Sequence, residues 1–406
     1  MVLFRHAQIQ SAGISSDRGL PAPPVRIWFS MCRISESKRW QLLLELVAAD
    51  IRLCAMKPRT REAKKSLFQQ APLVKNSLRL ALWVCGTAAG IGLAENLLPN
   101  PKFDEVANQP AGWQLVGSTG QRLPNAHENR SALMVKGNGK SQTFWRTEPI
   151  TLKPNSLYRF NFFGRWERAN PEGGALAGPS TINRDFLLTE TWARYSYVFS
   201  APSSDAPKDF VRLGEWHVSG SVYFADAALS PVSATFRRIA PGIELGESES
   251  VQGGTYRFKP NFKGIGANYH RPLNVNRAAF NTDRWVFYSG SEVIYRLGVK
   301  GGGQARAKVD TSLNYHASGS LHVDASRDRT NWVSLAMCDG QRRSASVELP
   351  ADLFPSDELF VRLSCRGTNS SLQVNAFEYE SRLTKPPPDG EGLTTFADIA
   401  PGASEK

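Results

Sequence analysis

Residues 157–163, Leu-Tyr-Arg-Phe-Asn-Phe-Phe, set Tyr158, Phe160 and Phe162 at alternate positions. A period of two gathers those rings on one face of an extended strand. Residues 192–199 (Trp-Ala-Arg-Tyr-Ser-Tyr-Val-Phe) read as another strand, ended by Ala201-Pro202, and residues 221–229 as a further one. Turn residues separate such runs: Gly137-Asn-Gly139, Lys153-Pro-Asn155, Pro171-Glu-Gly-Gly174 and Gly178-Pro179. Short strands joined by turns, without long helical periodicity, predict an all-β sandwich.

An internal repeat organises the chain. Val211-Arg-Leu213 leads to Val222-Tyr-Phe-Ala-Asp-Ala-Ala-Leu229, and Val361-Arg-Leu363 leads, without a gap, to Leu372-Gln-Val-Asn-Ala-Phe-Glu-Tyr379. In this register Phe210 meets Phe360, Ser221 meets Ser371 and Phe224 meets Val374. An interval of that size is a domain rather than a solenoid unit. The reading is two tandem jelly-roll β-sandwiches, 95–234 and 243–383, joined by a linker containing Pro241-Gly242. The tail 384–406 opens on Thr384-Lys-Pro-Pro-Pro and lacks an apolar period, so it is expected to be disordered.

The net charge of +12 raises a nucleic-acid reading, which its distribution removes. Residues 1–94 carry 14 Lys/Arg and 5 Asp/Glu, leaving 35 and 32 for the remainder. The globular part is thus nearly balanced, and no helix-turn-helix or zinc-finger spacing occurs. The basic N-terminal residues lead into an uncharged run, Leu80 to Ala94. Gly92-Leu93-Ala94 then offers small residues before Glu95, the order of a secretory signal. The run is too short to favour a stable membrane span. Met56 is a better start than Met1, so 1–55 is expected to be a dispensable or non-native extension. Residues 56–94 are expected to be a signal peptide with a signal-type helix. A secreted, periplasmic or cell-surface protein follows. Of five cysteines only Cys338 and Cys365 would remain after cleavage. They form one disulfide in an oxidising compartment, or stay as two buried thiols.

Asn96-Leu-Leu-Pro-Asn-Pro-Lys-Phe-Asp104 followed by Pro110-Ala-Gly-Trp113 resembles the opening of the CenC-like carbohydrate-binding modules. Residues 150–158, 192–199 and 222–229 are similar to successive strands of that family. The resemblance covers residues from about 95 to 234 and implies a galactose-binding-like jelly roll that binds polysaccharide. It also implies a structural calcium held by an acidic residue after the opening Phe and one in the closing strand, here Asp104 and Asp226. Ala225 stands where a further closing-strand Asp is common. Ordinary surface carboxylates are the alternative. In the second half, residues 321–332 resemble the Ser-x-Asp-Gly-x-x-Trp turn of discoidin-like sandwiches, with Arg329 in place of the Gly.

A saccharide site needs aromatic platforms beside planar polar groups. Arg165, Trp166, Glu167, Glu215 and Trp216 are the candidate patch, because both stretches adjoin loops. Trp113 and Trp192 are assigned to packing. Tyr269, His270, Arg271, Arg284, Trp285 and Tyr288 form an aromatic–basic group that either binds an acidic glycan or packs against the first sandwich, and packing is the expectation. His127, His217, His270, His316 and His322 form no metal-binding motif, and there is no Gly-x-Ser-x-Gly elbow or phosphate-cradling loop. The expected function is non-catalytic glycan binding; alternatives are an extracellular structural or adhesion protein, or a glycoside hydrolase or its accessory subunit.

Overall fold

A computed structural model describes residues 95–106, 109–205 and 207–399. The extension 1–55, the signal-like run 56–94 and the end of the tail, 400–406, lie outside the described residues. Among the described residues every regular element is a strand except one 3-10 turn, Ala351–Leu353. Among the described residues no helix is long and apolar enough to cross a membrane.

The chain opens with β1 (Trp113–Val116), β2 (Gly120–His127), β3 (Arg130–Asn138) and β4 (Gln142–Thr147). A short β5 (Ile150–Thr151) precedes β6 (Leu157–Arg168), β7 (Gly174–Pro179), β8 (Ile182–Phe186) and β9 (Ala193–Ser200). β10 (Lys208–Asp209) pairs back with β5, and β11 (Val211–Trp216) and β12 (Ser219–Ala240) follow. One sheet runs β1-β4-β11-β7-β8 and the facing one β2-β3-β12-β6-β9. The alternation in β6 works as expected: Tyr158, Phe160 and Phe162 point inward and are buried. Phe162 meets Tyr195 and Phe224, each at 5.5 Å between ring centres. Each such pair adds about 0.5–1.5 kcal/mol beyond its buried area.

Three strands, β13 (Ile243–Leu245), β14 (Glu249–Gln252) and β15 (Thr255–Phe258), lead into the second sandwich. It contains β16 (Leu273–Arg277), β17 (Ala279–Asn281), β18 (Arg284–Tyr288), β19 (Glu292–Leu297), β20 (Gln304–Ser326), β21 (Val333–Cys338), β22 (Ser344–Glu348) and β23 (Leu359–Leu383). β20 and β23 are long enough to serve both sheets, turning the corner at Gly319 and Gly367. Their C- and N-terminal halves, respectively, pair in the order β16-β19-β23-β20-β21. The remaining halves pair in the order β17-β18-β23-β20-β22. Every pairing in the two sheets of the first sandwich thus has a counterpart in the second, with β11 and β12 matching the two halves of β23. Val211, Leu213, Val361 and Leu363 are all fully buried, as are Val222, Phe224, Leu372 and Val374.

Two close approaches, one to backbone and one to a side chain, require glycine. At Gly220 (φ +138°) a Cβ would lie 2.1 Å from the Glu167 carbonyl oxygen. At Gly319 (φ +86°) it would lie 2.2 Å from Ser370 Oγ. Only glycine accepts both the contact and the positive φ.

One continuous apolar cluster runs through both sandwiches, from Phe160 to Tyr379. The seam is polar at its margin. β8 pairs in parallel with β17, with Ile182 beside Phe280. Thr282 Oγ1 donates to Asp185 Oδ2 at 2.8 Å, and Arg184 donates to the carbonyls of Lys263 and Gly264. The Asn268 side chain makes both backbone bonds to Ser200.

The tail departs from expectation over residues 390–398. β24 (Gly390–Glu391) pairs with β14, and β25 (Thr394–Asp398) pairs with Val232–Phe236 of β12. Arg159 ion-pairs with Asp398, and the Phe396 ring lies 6.1 Å from that of Tyr269. A strand edge with unpaired amides and carbonyls orders a segment that has no apolar period of its own. β12 also runs to Ala240, past the expected boundary at 234.

Candidate functional site

The outer face of the sheet β2-β3-β12-β6-β9 carries an aromatic row that the sequence reading missed. Arg165 on β6 lies opposite Tyr223 on β12. Its guanidinium carbon sits 3.9 Å from the Tyr223 ring centre and 5.6 Å from that of Trp192. The Trp192 and Tyr223 rings are 6.5 Å apart at 70°. Glu167, two residues along β6, points the same way. It accepts hydrogen bonds from Arg165 Nη1 at 2.6 Å and from the Tyr223 hydroxyl at 3.0 Å. Those bonds hold its carboxyl below the ordinary glutamate value, while burial and Glu167 push the Tyr223 hydroxyl up.

The row continues through His127, whose ring lies 4.6 Å from Phe163 and 4.8 Å from Trp192. Behind it, Asp226 occupies a bulge of β12 with φ +48°. Its Oδ2 is 3.4 Å from His127 Nδ1 and accepts from Arg130 at 2.9 Å. Tyr223 itself is only 9% exposed, so it supports the face; Trp192, Arg165 and Glu167 present it.

The proposed patch of five residues is therefore divided. Arg165 and Glu167 belong to this face. Trp166, between them, turns into the core because adjacent residues of a strand face opposite sides. Arg168 covers its ring at 4.0 Å. Glu215 is fully buried, with Oε2 accepting the Val218 N–H at 3.0 Å, and burial raises its carboxyl above the usual range. Trp216 is 48% exposed but lies on the other sheet, stacked on His217 at 4.1 Å.

Asp104 and Asp226 do not share a ligand set. Asp104 Oδ1 accepts from Ser131 Oγ at 2.7 Å and faces Arg122 at 3.9 Å, whereas Asp226 is paired with Arg130. Among the described residues no three His, Cys, Asp or Glu converge as a metal site. Cys338 and Cys365 are free and buried. Both align with Leu321, one on each side of β20. Two strand spacings of roughly 4.8 Å exceed the ~7 Å limit for bridged Cα atoms.

The aromatic–basic group of the second sandwich splits. Trp285 is core and donates to the Tyr295 hydroxyl, Arg271 clamps the buried Glu249, Tyr269 meets the first sandwich beside Leu157 and Val198, and Tyr288 is exposed. In the discoidin-like turn Arg329 takes the glycine conformation, φ +65°, and Asp328 accepts the Thr330 and Asn331 amides. Trp332 ends that turn under Arg362 at 4.1 Å. A cleft of about 490 Å³ lies beside β16 and β19, but Arg271, Asn274, Arg296, Lys300, Asp357 and Glu358 surround it without an aromatic ring.

No family model matches the sequence, and no curated protein matches it. Among solved structures, the N-terminal CBM22-1-CBM22-2 tandem domain from Paenibacillus barcinonensis Xyn10C is similar over 72% of this chain and 99% of its own, at 12% identity and a TM-score of 0.27. A family 16 carbohydrate-binding module is similar over 33% of this chain and 99% of its own, at 19% identity and a TM-score of 0.28. TmCBM61 in complex with β-1,4-galactotriose is similar over 34% of this chain and 99% of its own, at 17% identity and a TM-score of 0.26. Overlap this slight leaves the fold to rest on the strand pairing described above.

Proposed function

We propose that this chain is a non-catalytic, extracellular carbohydrate-binding protein that takes a saccharide on the outer face of the sheet β2-β3-β12-β6-β9. The observation that carries the reading is the Trp192–Arg165–Tyr223 row with Glu167 bound to both of its polar members. Trp192 offers an apolar surface to sugar C–H groups. Arg165 donates and Glu167 accepts along the hydroxyl rim. Tyr223 holds the two in place, so little side-chain entropy is lost on binding. The extracellular setting rests on the signal-like run before Glu95.

A glycan array probed with residues 95–399, followed by titration of Trp192→Ala and Trp216→Ala, tests the proposal. The expected result is saccharide binding that Trp192→Ala weakens at least about tenfold and Trp216→Ala leaves unchanged. The reverse pattern moves the site to the other sheet. Absence of binding to any saccharide overturns the function.

A further inference from the structure

The calcium that the family resemblance implies meets a built-in competitor. The Phe103 backbone, at φ +58°, turns its carbonyl toward β2, where it accepts from Arg122 Nε at 2.6 Å. Arg122 Nη2 donates to Ser131 Oγ at 2.7 Å. Ser131 in turn gives Asp104 Oδ1 both its hydroxyl, at 2.7 Å, and its amide, at 3.3 Å. A carbonyl, a hydroxyl and a carboxylate are the oxygen types that surround a hard cation. Here a guanidinium stands among them. Asp226, the other expected ligand, has its own cation in Arg130. A divalent ion entering at the Phe103, Ser131 and Asp104 oxygens would confront Arg122, with too few free oxygens to replace its water.

We infer that Arg122 is the resident cation of the opening segment, and that the first sandwich needs no calcium there. Arg122 sits opposite the buried Leu133 on β2, so its side chain leaves at the sandwich edge and reaches the segment beginning at residue 95. That segment supplies Leu98 and Phe103 to the core, and Asn96 ties it to the Leu229 amide at 3.0 Å. The guanidinium fastens it to β2 and β3 with a covalently attached charge. The fastening therefore holds in calcium-poor as well as calcium-rich surroundings.

Thermal unfolding of the full chain in calcium chloride and in EGTA, with calorimetric titration of calcium, decides the matter. The wild type is expected to show one unchanged midpoint and no binding heat. Arg122→Gln, which removes the charge and leaves the oxygens, is expected to melt lower in EGTA and to recover part of the loss in calcium. A wild-type midpoint that falls in EGTA, or stoichiometric calcium uptake by the wild type, overturns the inference. So does an Arg122→Gln midpoint equal to wild type in EGTA. If that variant does not fold, the wild-type comparison decides alone.

Discussion

Arg165 and Tyr223 face each other across β6 and β12, with the guanidinium carbon 3.9 Å from the centre of the ring. The contact joins a strand interior to the exposed end of Glu167 through two hydrogen bonds. Binding and stability draw on it differently, which makes it testable.

Arg165→Ala removes the cation from two rings and one bond from Glu167. Saccharide affinity should fall by about 1–2 kcal/mol, roughly five- to thirtyfold. Stability should change by less than about 1 kcal/mol, because the Arg165–Glu167 pair is solvent-screened. Calorimetry and urea unfolding measure the two; a large stability loss with unchanged affinity would place Arg165 in the scaffold.

His270 should make the protein acid-sensitive. Burial among Phe258 and Phe262 lowers its pKa to about 4. The unfolded chain takes up this proton near pH 6.5, whereas the folded chain resists until about pH 4. The unfolded state therefore binds more protons in that window, and stability falls as pH drops through it. The contribution is up to roughly 3 kcal/mol, complete near pH 4 and absent above pH 6.5. Urea unfolding at two pH values should show a shallower loss in His270→Gln than in the wild type.

Ending the chain after Thr384 deletes β24 and β25. It exposes the β12 edge at Val232–Phe236 and removes Phe396 from Tyr269 and Asp398 from Arg159. A loss of at least about 2 kcal/mol is expected, with self-association through the freed edge. Chemical unfolding and size-exclusion chromatography report these effects. Unchanged behaviour in both would show that the tail adds nothing to the fold.

A chain beginning at Glu95 should show two thiols after denaturation and almost none before it. Burial raises the pKa of both Cys338 and Cys365, which keeps them as unreactive thiols. Its melting midpoint should be the same with and without reductant. A reductant-dependent midpoint would require the β21 and β23 strands to approach across β20.

Strand type was legible in the sequence because alternation is local. The parity that places Tyr158, Phe160 and Phe162 inside also places Trp166 inside, so its burial could have been read from β6 alone. The same parity exposes Arg165 and Glu167. Tyr223 had a similar signal, standing between the core residues Val222 and Phe224. Nothing local marks Trp192, which precedes its strand, or His127, which reaches the row from the end of β2.

The sequence by itself determined an all-β chain with an internal repeat, whose two VRL stretches begin equivalent strand pairs. Those features depend on side-chain direction along a strand, which repeats every two residues whatever the partner. The tertiary structure decided what pairing alone can decide. Register brought Arg165 onto Tyr223 and an edge of β12 ordered the tail. The intervening strand kept Cys338 from Cys365, and Arg122 reached the oxygens that a calcium was expected to hold. Each of these joins residues distant in sequence, and no local period encodes the distance between strands.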